Sequence, residues 1–250
     1  MKNLIIKDLC IEVTRRCNMT CSHCMRGESQ NLNLNIDKID KLFNNNKFNI
    51  IEINRLTITG GEPTLNTSAI LKLISEILNK KIKLNSFIMV INGSIYNTSL
   101  IEGLNILYNY YIESQDQKSF ELICSRDQFH RYQRENIIEE YNTIPYFINN
   151  KIIINNDDIL CLGRAYDNEL GNIASYYIYN YLLHNYIDDN YPKIETLSNS
   201  DIVLEELYLS SKGLCGFHIM DATFDMMDKL CIYNENELEQ LLINKKIKRR

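Results

Sequence analysis

The 250-residue sequence contains no tryptophan, three prolines and nine glycines. No stretch rich in Pro, Gly or Ser breaks it into separate units, so one α/β domain, or one domain with an appendage, is expected. That length suffices to bury a large core. No segment approaches the ~20 apolar residues of a membrane span. Net charge is −5, so no broad nucleic-acid surface is expected. There is no internal repeat. Charges interrupt Met1–Asp8 where a signal peptide needs an unbroken apolar stretch, and a cytoplasmic protein is expected. In that compartment eight cysteines argue for metal or redox chemistry rather than a disulfide framework.

Three of those cysteines stand within eight residues, Cys17, Cys21 and Cys24, spaced C-x3-C-x2-C. They follow Leu9–Thr14, an apolar and β-branched run that reads as a first strand. Four-iron clusters take soft thiolate ligands, usually four. A loop with three leaves one iron open to an exogenous ligand. The competing reading is a structural zinc with His23 as fourth ligand. Zinc sites usually split into two ligand pairs with a long spacer, and His23 sits between two of the cysteines, where its reach is poor.

Beyond the loop, strands alternate with helices. Asn35 can cap a helix that carries Ile36, Ile39 and Phe43. Strands are expected at Ile51–Thr59, Leu84–Ile91, Ser119–Cys124 and about Tyr146 to Ile154. Helices are expected from about Ser68 to Lys80, through Leu100 to Tyr111, and around Ile137, Ile138 and Tyr141. This order is the signature of βαβ units around a parallel sheet, with an open doubly wound sheet and a partial barrel as the options. No G-x-G-x-x-G follows the first strand, which weakens a dinucleotide fold. Ligands of parallel α/β folds sit at the carboxyl ends of the strands. The chemistry-bearing segments fall there: the cysteines after the first strand, Gly60-Gly61-Glu62-Pro63 after the second, Asn92-Gly93 after the third, and Ser125-Arg126-Asp127 after the fourth.

The cysteine loop followed by Gly-Gly-Glu-Pro, in this order, resembles the radical S-adenosylmethionine superfamily over roughly residues 8 to 165. The resemblance implies a partial (β/α)6 barrel, a [4Fe-4S] cluster on Cys17, Cys21 and Cys24, and S-adenosyl-L-methionine chelating the open iron through its amino and carboxylate groups. It also implies reductive cleavage of that cosubstrate to a 5′-deoxyadenosyl radical. A reductant such as flavodoxin or ferredoxin is the implied partner. Gly60 and Gly61 would permit close backbone approach to the cosubstrate, with Glu62 and Pro63 ordering the turn. His23 would pack near the adenine or stand as a bystander. Asn92 matches a common turn of the family. Ser125 and Asp127 match a ribose-binding position, although Asp127 suits a helix cap equally. Arg164 can pair with the cosubstrate carboxylate or stay solvated. Cys124 and His130 are candidate donors of a hydrogen atom or proton, with ordinary packing the plainer reading of each.

The end of the chain reads differently. Ile202–Leu209 and Leu214–Met220 flank Ser210–Gly213 as an antiparallel hairpin, and a last helix is expected near Glu235 to Asn244. A Tyr-rich helix is expected at about 172 to 186, and the basic run 245–250 reads as a solvated terminus. A core of residues 1–200 and an extension of 201–250 are therefore expected. The hairpin resembles the SPASM or twitch extensions of peptide-modifying members of the superfamily. Cys161, Cys215 and Cys231 are too few and too widely spaced for an auxiliary cluster without a further ligand. A peptide or protein side chain is thus the expected substrate. The alternatives are a nucleotide or metabolite substrate, and a non-catalytic iron–sulfur or zinc module.

Overall fold

In the computed structural model the described residues are 1–113, 118–131, 133–177, 194–196, 201–216 and 222–230. The elements are β1 (Lys2–Thr14), α1 (Ile36–Phe43), β2 (Phe48–Gly60), α2 (Thr67–Asn79), β3 (Lys83–Leu84), β4 (Ser86–Ile91) and α3 (Thr98–Ile112). They continue as β5 (Ser119–Arg126), α4 (Glu135–Tyr141), β6 (Phe147–Lys151), α5 (Arg164–Asp167), β7 (Ile194–Thr196), β8 (Ile202–Leu209), β9 (Leu214–Cys215) and α6 (Phe224–Leu230).

The strands form one sheet in the order β6-β5-β4-β2-β1-β8-β7. From β6 to β8 every pairing is parallel. β7 and β9 run antiparallel to β8. Among the described residues the sheet is not closed: β6 and β7 end it. This is the open parallel arrangement of a partial (β/α) barrel.

β1 is longer than the sequence pattern indicated, starting at Lys2 rather than Leu9. Polar Lys2, Asn3, Lys7 and Asp8 mask a strand whose Leu4 and Ile6 are fully buried. Pairing with β2 on one side and β8 on the other extends it over thirteen residues. The stretch expected as one strand over Leu84–Ile91 is interrupted at Asn85, whose side-chain Nδ2 donates to Glu52 and Asn54 while its backbone N–H still reaches the Ile53 carbonyl at 3.2 Å. Asn35 caps α1 as expected, its Oδ1 accepting the Asp37 N–H at 3.0 Å.

The main core lies between the sheet and α1–α4, with Leu9, Ile11, Ile53, Leu56, Leu73, Phe87 and Leu104 at 1% exposure or less. A second, smaller cluster packs Cys10, Leu162, Tyr208, Cys215, Ala222, Met226 and Met227. It covers the β1–β8 region with α6.

The antiparallel β8–β9 hairpin is present as far as Cys215, closed by the Ser210 N–H to Gly213 carbonyl bond at 2.9 Å. Its first strand joins the main sheet beside β1. Of the expected Tyr-rich helix, residues 173–177 are helical. Its remainder, Cys231, the helix expected at Glu235 to Asn244 and the basic run 245–250 lie outside the described residues. Among the described residues no helix is long and apolar enough to cross a membrane.

Candidate functional site

The carboxyl ends of the parallel strands enclose a cavity of about 450 Å³. Its wall brings together Cys17, Cys21, His23, Cys24, Gly60, Gly61, Glu62, Asn92, Ser125, Asp127, His130 and Arg164. Pro63 and Cys124 are not on that wall.

The exits of β1 and β2 touch backbone to backbone. The Gly61 N–H donates to the Thr14 carbonyl and the Glu62 N–H to the Arg16 carbonyl, both at 2.7 Å. A Cβ on Gly60 would stand 2.3 Å from the Thr14 oxygen, and one on Gly61 2.3 Å from the Arg16 oxygen. No side chain fits, so this pair seats the strand that leads into the cysteines.

Glu62 is fully buried and acts as a clamp. Its Oε1 accepts the Thr64 N–H at 3.1 Å and the Thr64 hydroxyl at 2.6 Å, and its Oε2 accepts the Asn92 N–H at 2.7 Å. The carboxylate thereby caps the helical turn Pro63–Asn66 and ties the β2 exit to the β4 exit. Burial raises its pKa, against the opposing hydrogen bonds from Thr64 and Asn92. Pro63 occupies the first position of that turn, where a missing N–H costs nothing.

Asn92 extends the clamp to the cysteine loop. Its Nδ2 donates to Asn18 Oδ1 at 2.9 Å and points at Cys17 Sγ at 4.0 Å. Cys17 Sγ also accepts the Met19 N–H at 3.4 Å. Burial raises the Cys17 thiol, and the Met19 bond opposes it. Hydrogen bonds to sulfur are among the features that set a cluster's potential.

At the β5 exit, Asp127 Oδ1 accepts the Phe129 N–H at 2.8 Å, and Oδ2 bonds His130 Nδ1 at 2.8 Å. Burial opposes the His130 charge, but the bonds to Asp127 and Cys21 push it up to about 10. His23 stacks on Phe129 with ring centres 4.4 Å apart, and burial lowers its pKa. Its Nε2 lies 3.7 Å from Asp127 Oδ2, while the buried Nδ1 has no partner among the described residues.

Arg164, 7% exposed, holds the cysteine loop from the far side. Its Nε donates to the Cys21 carbonyl and its backbone N–H to the Cys24 carbonyl, each at 3.0 Å. Among the described residues its Nη1 has no hydrogen-bond partner, with Glu28 Oε2 3.8 Å away. Gly163, at φ +54, comes so close to the loop that a Cβ would lie 2.5 Å from the Gly27 nitrogen.

Cys124 does not face the cavity. β5 alternates, and Cys124 falls in step with buried Phe120 and Leu122 on the helix side. Its Sγ lies beneath Gly93, where a Cβ would come within 2.4 Å. Burial pushes this thiol up to about 12, which removes the acidity a proton donor needs. Gln133 carried no signal in the sequence. Its Nε2 donates to the Asn92 carbonyl at 2.7 Å and the Ser125 carbonyl at 2.6 Å, joining the β4 and β5 exits.

The donor set fits a cluster better than a single ion. The three thiols are free. A tetrahedral zinc, with Zn–S near 2.3 Å, would draw its sulfurs to about 3.8 Å from one another. Among the described residues, the group whose ligand atoms all lie within 4.8 Å of one another is His23, Asp127 and His130. The three thiols do not form such a group, and soft thiolates are the usual ligands of an iron–sulfur cluster. The unpartnered Arg164 Nη1 and His23 Nδ1 leave buried polar atoms for a bound group beside them.

Residues 10–115 match the family described as 4Fe-4S single cluster domain. No curated protein matches the chain. Among solved structures it is similar to Streptococcus suis SuiB bound to the precursor peptide SuiA, at 12% identity and TM-score 0.40, covering 85% of this chain and 59% of that one. It is also similar to native anSMEcpe with bound AdoMet and Cp18Cys peptide, at 12% identity and TM-score 0.38, covering 96% and 84%. The chain thus spans 59% of the length of SuiB. The matched residues take in the end of β1, the cysteine loop and β2 to β4, less than half of the chain. With Gly-Gly-Glu-Pro at the next strand exit of an open parallel sheet, the chain resembles the radical S-adenosylmethionine superfamily.

Proposed function

We propose that this chain is a radical S-adenosylmethionine enzyme with one [4Fe-4S] cluster, acting on a peptide or protein side chain. The observation that carries the reading is the cavity in which three free thiols face the exits of β2, β4 and β5. Cys17, Cys21 and Cys24 would hold the cluster and leave one iron open. Cluster and cosubstrate together supply one-electron reductive cleavage of the sulfonium and a carbon-centred radical that takes hydrogen from substrate.

The chain's own residues bind, orient and exclude water. Arg164 brings a guanidinium suited to a carboxylate, already fixed by its Nε bond to the loop. Ser125 and Asp127 line the wall with acceptors for hydroxyl groups. His23 offers a stacking face at the same depth. Glu62, Asn92 and Gln133 keep the strand exits in register, so that bound groups meet a preorganised wall. His130, bonded to Asp127 through Nδ1, can hold a proton at the wall.

Support for a peptide comes from the antiparallel β8–β9 hairpin, which resembles the start of a SPASM or twitch extension. The cavity wall also includes Asn150 of the edge strand β6 and Ile152 and Ile154 just after it, an apolar edge on which a peptide side chain could rest. A flavodoxin- or ferredoxin-type reductant would supply the electron.

The test is anaerobic reconstitution, dithionite and S-adenosylmethionine, followed by assay for 5′-deoxyadenosine. Product is expected from the intact chain and none from the Cys17→Ala, Cys21→Ala, Cys24→Ala variant. No product from the former, or equal product from both, overturns the reading.

A further inference from the structure

The cysteine loop is gripped from behind by a segment almost the whole chain away. Arg15 stands two residues before Cys17 and is fully buried. Its Nε donates to Glu12 Oε1 at 2.7 Å. Its Nη1 donates to Gln30 Oε1 at 3.1 Å and to Asp228 Oδ2 at 2.9 Å, and its Nη2 donates to Asp228 Oδ1 at 2.6 Å. The Phe224 ring lies beneath the guanidinium, 4.8 Å from its carbon. The Tyr208 hydroxyl donates to the second Glu12 oxygen. Burial opposes the Arg15 charge, but the bonds to Asp228 and Glu12 outweigh it.

The same segment holds the other end of the loop. Arg26 follows Cys24 by two residues. Its carbonyl accepts the Phe224 N–H at 3.1 Å, and its Nη1 donates to the Ala222 carbonyl at 3.0 Å. The base of the loop closes through Arg15 itself. Its N–H donates to the Leu32 carbonyl at 2.8 Å, and its carbonyl accepts the Gln30 N–H at 3.0 Å. Fixing the Arg15 guanidinium therefore fixes the backbone from which the first ligand departs.

We propose that residues 222–228 form a clasp that sets the position of the cluster-binding loop, with Asp228 as the positioning residue. The part that concerns the cluster rests on the function proposed above. Asp228 touches neither thiol nor cavity. It acts through Arg15, and its bidentate contact makes the orientation specific. Without it the buried guanidinium loses its bidentate partner and one of its two carboxylates, leaving Glu12 alone to face it, which is unfavourable. The loop base is the part free to move in response.

Two measurements test this on Asp228→Ala, Asp228→Asn and Asp228→Glu. In the chain without cluster, amide hydrogen exchange across residues 15–30 should rise about ten-fold or more in Asp228→Ala, with β4 and β5 unchanged, because local opening is read separately from global unfolding. After reconstitution, the iron–sulfur absorbance of Asp228→Ala should bleach in air several-fold faster and its midpoint potential should shift. Asp228→Asn should be intermediate and Asp228→Glu should restore part of both. Unchanged exchange in the loop, or exchange raised equally through the sheet, overturns the proposal. If Asp228→Ala does not fold, Asp228→Asn carries the same comparison. An intact chain that takes up no cluster while loop exchange still responds to Asp228 sinks the function and leaves the clasp standing.

Discussion

The body of the sheet and its carboxyl rim are built from different materials. The body is aliphatic: Leu9, Ile53, Leu56 and Phe87 meet the helices with almost no exposure. The rim is glycine, carboxylate and amide: Gly60-Gly61 against Thr14–Arg16, Glu62 across to Asn92, Gln133 across to Ser125. Burial in the body is non-directional and scales with area, so it stabilises the fold without dictating where a thiol points. The rim contacts are directional and few, so each one sets geometry. Fold stability and site geometry are therefore largely separable here, and substitutions can test how far.

The largest expected effect is in the body. Leu56→Ala should cost about 2–5 kcal/mol, lowering the thermal midpoint of unfolding while leaving the reactivity of the Cys17 thiol in the folded chain unchanged. Gly61→Ala comes next. Its Cβ would meet the Arg16 carbonyl at 2.3 Å, and overpacking of this kind costs about 1–3 kcal/mol. Here thiol alkylation at Cys17 should accelerate as well, because the obstructing atom is loop backbone.

Glu62→Gln is subtler. All three groups facing the carboxylate are donors, so the amide nitrogen of Gln must leave one unsatisfied, at about 1–3 kcal/mol. Chemical denaturation of the two proteins measures it. The same residue gives a pH signature. Burial holds the folded Glu62 above its ordinary value of 4.5. The folded state then binds the proton more tightly, and stability falls as pH climbs from 4.5 through the raised value. Glu62→Gln should flatten that part of the stability profile. An unchanged slope would mean that other carboxylates set it. The smallest effect is expected at the other end of β1, where Lys7 pairs with Glu205 at 2.5 Å with its side chain 42% exposed. Lys7→Ala should change stability by less than about 1 kcal/mol and leave the loop untouched.

This division also explains what the sequence reveals. The four strand-exit segments are legible because glycine, proline and cysteine at a strand end are local signals, and parallel topology gathers them by itself. The expectation of Cys124 as a donor passes over the parity of β5: counting from Phe120 sends Cys124 to the helix side and Ser125 to the cavity. The first half of β1 was hidden by its polar residues, since its burial comes from β8, some 200 residues away in sequence. Gln133 and the Arg15–Asp228 pair left no trace, because a partner distant in the chain imposes no spacing. Arg164, expected at a cosubstrate carboxylate or in solvent, holds loop carbonyls, a contact that only the fold creates.

The central claim is that three thiolates at the β1 exit hold a single four-iron cluster. Its most direct test is iron, acid-labile sulfide and zinc content of the anaerobically reconstituted chain, beside the Cys17→Ala, Cys21→Ala, Cys24→Ala variant. The account predicts about four iron and four sulfide per chain, lost in the variant. One zinc per chain without sulfide would contradict it.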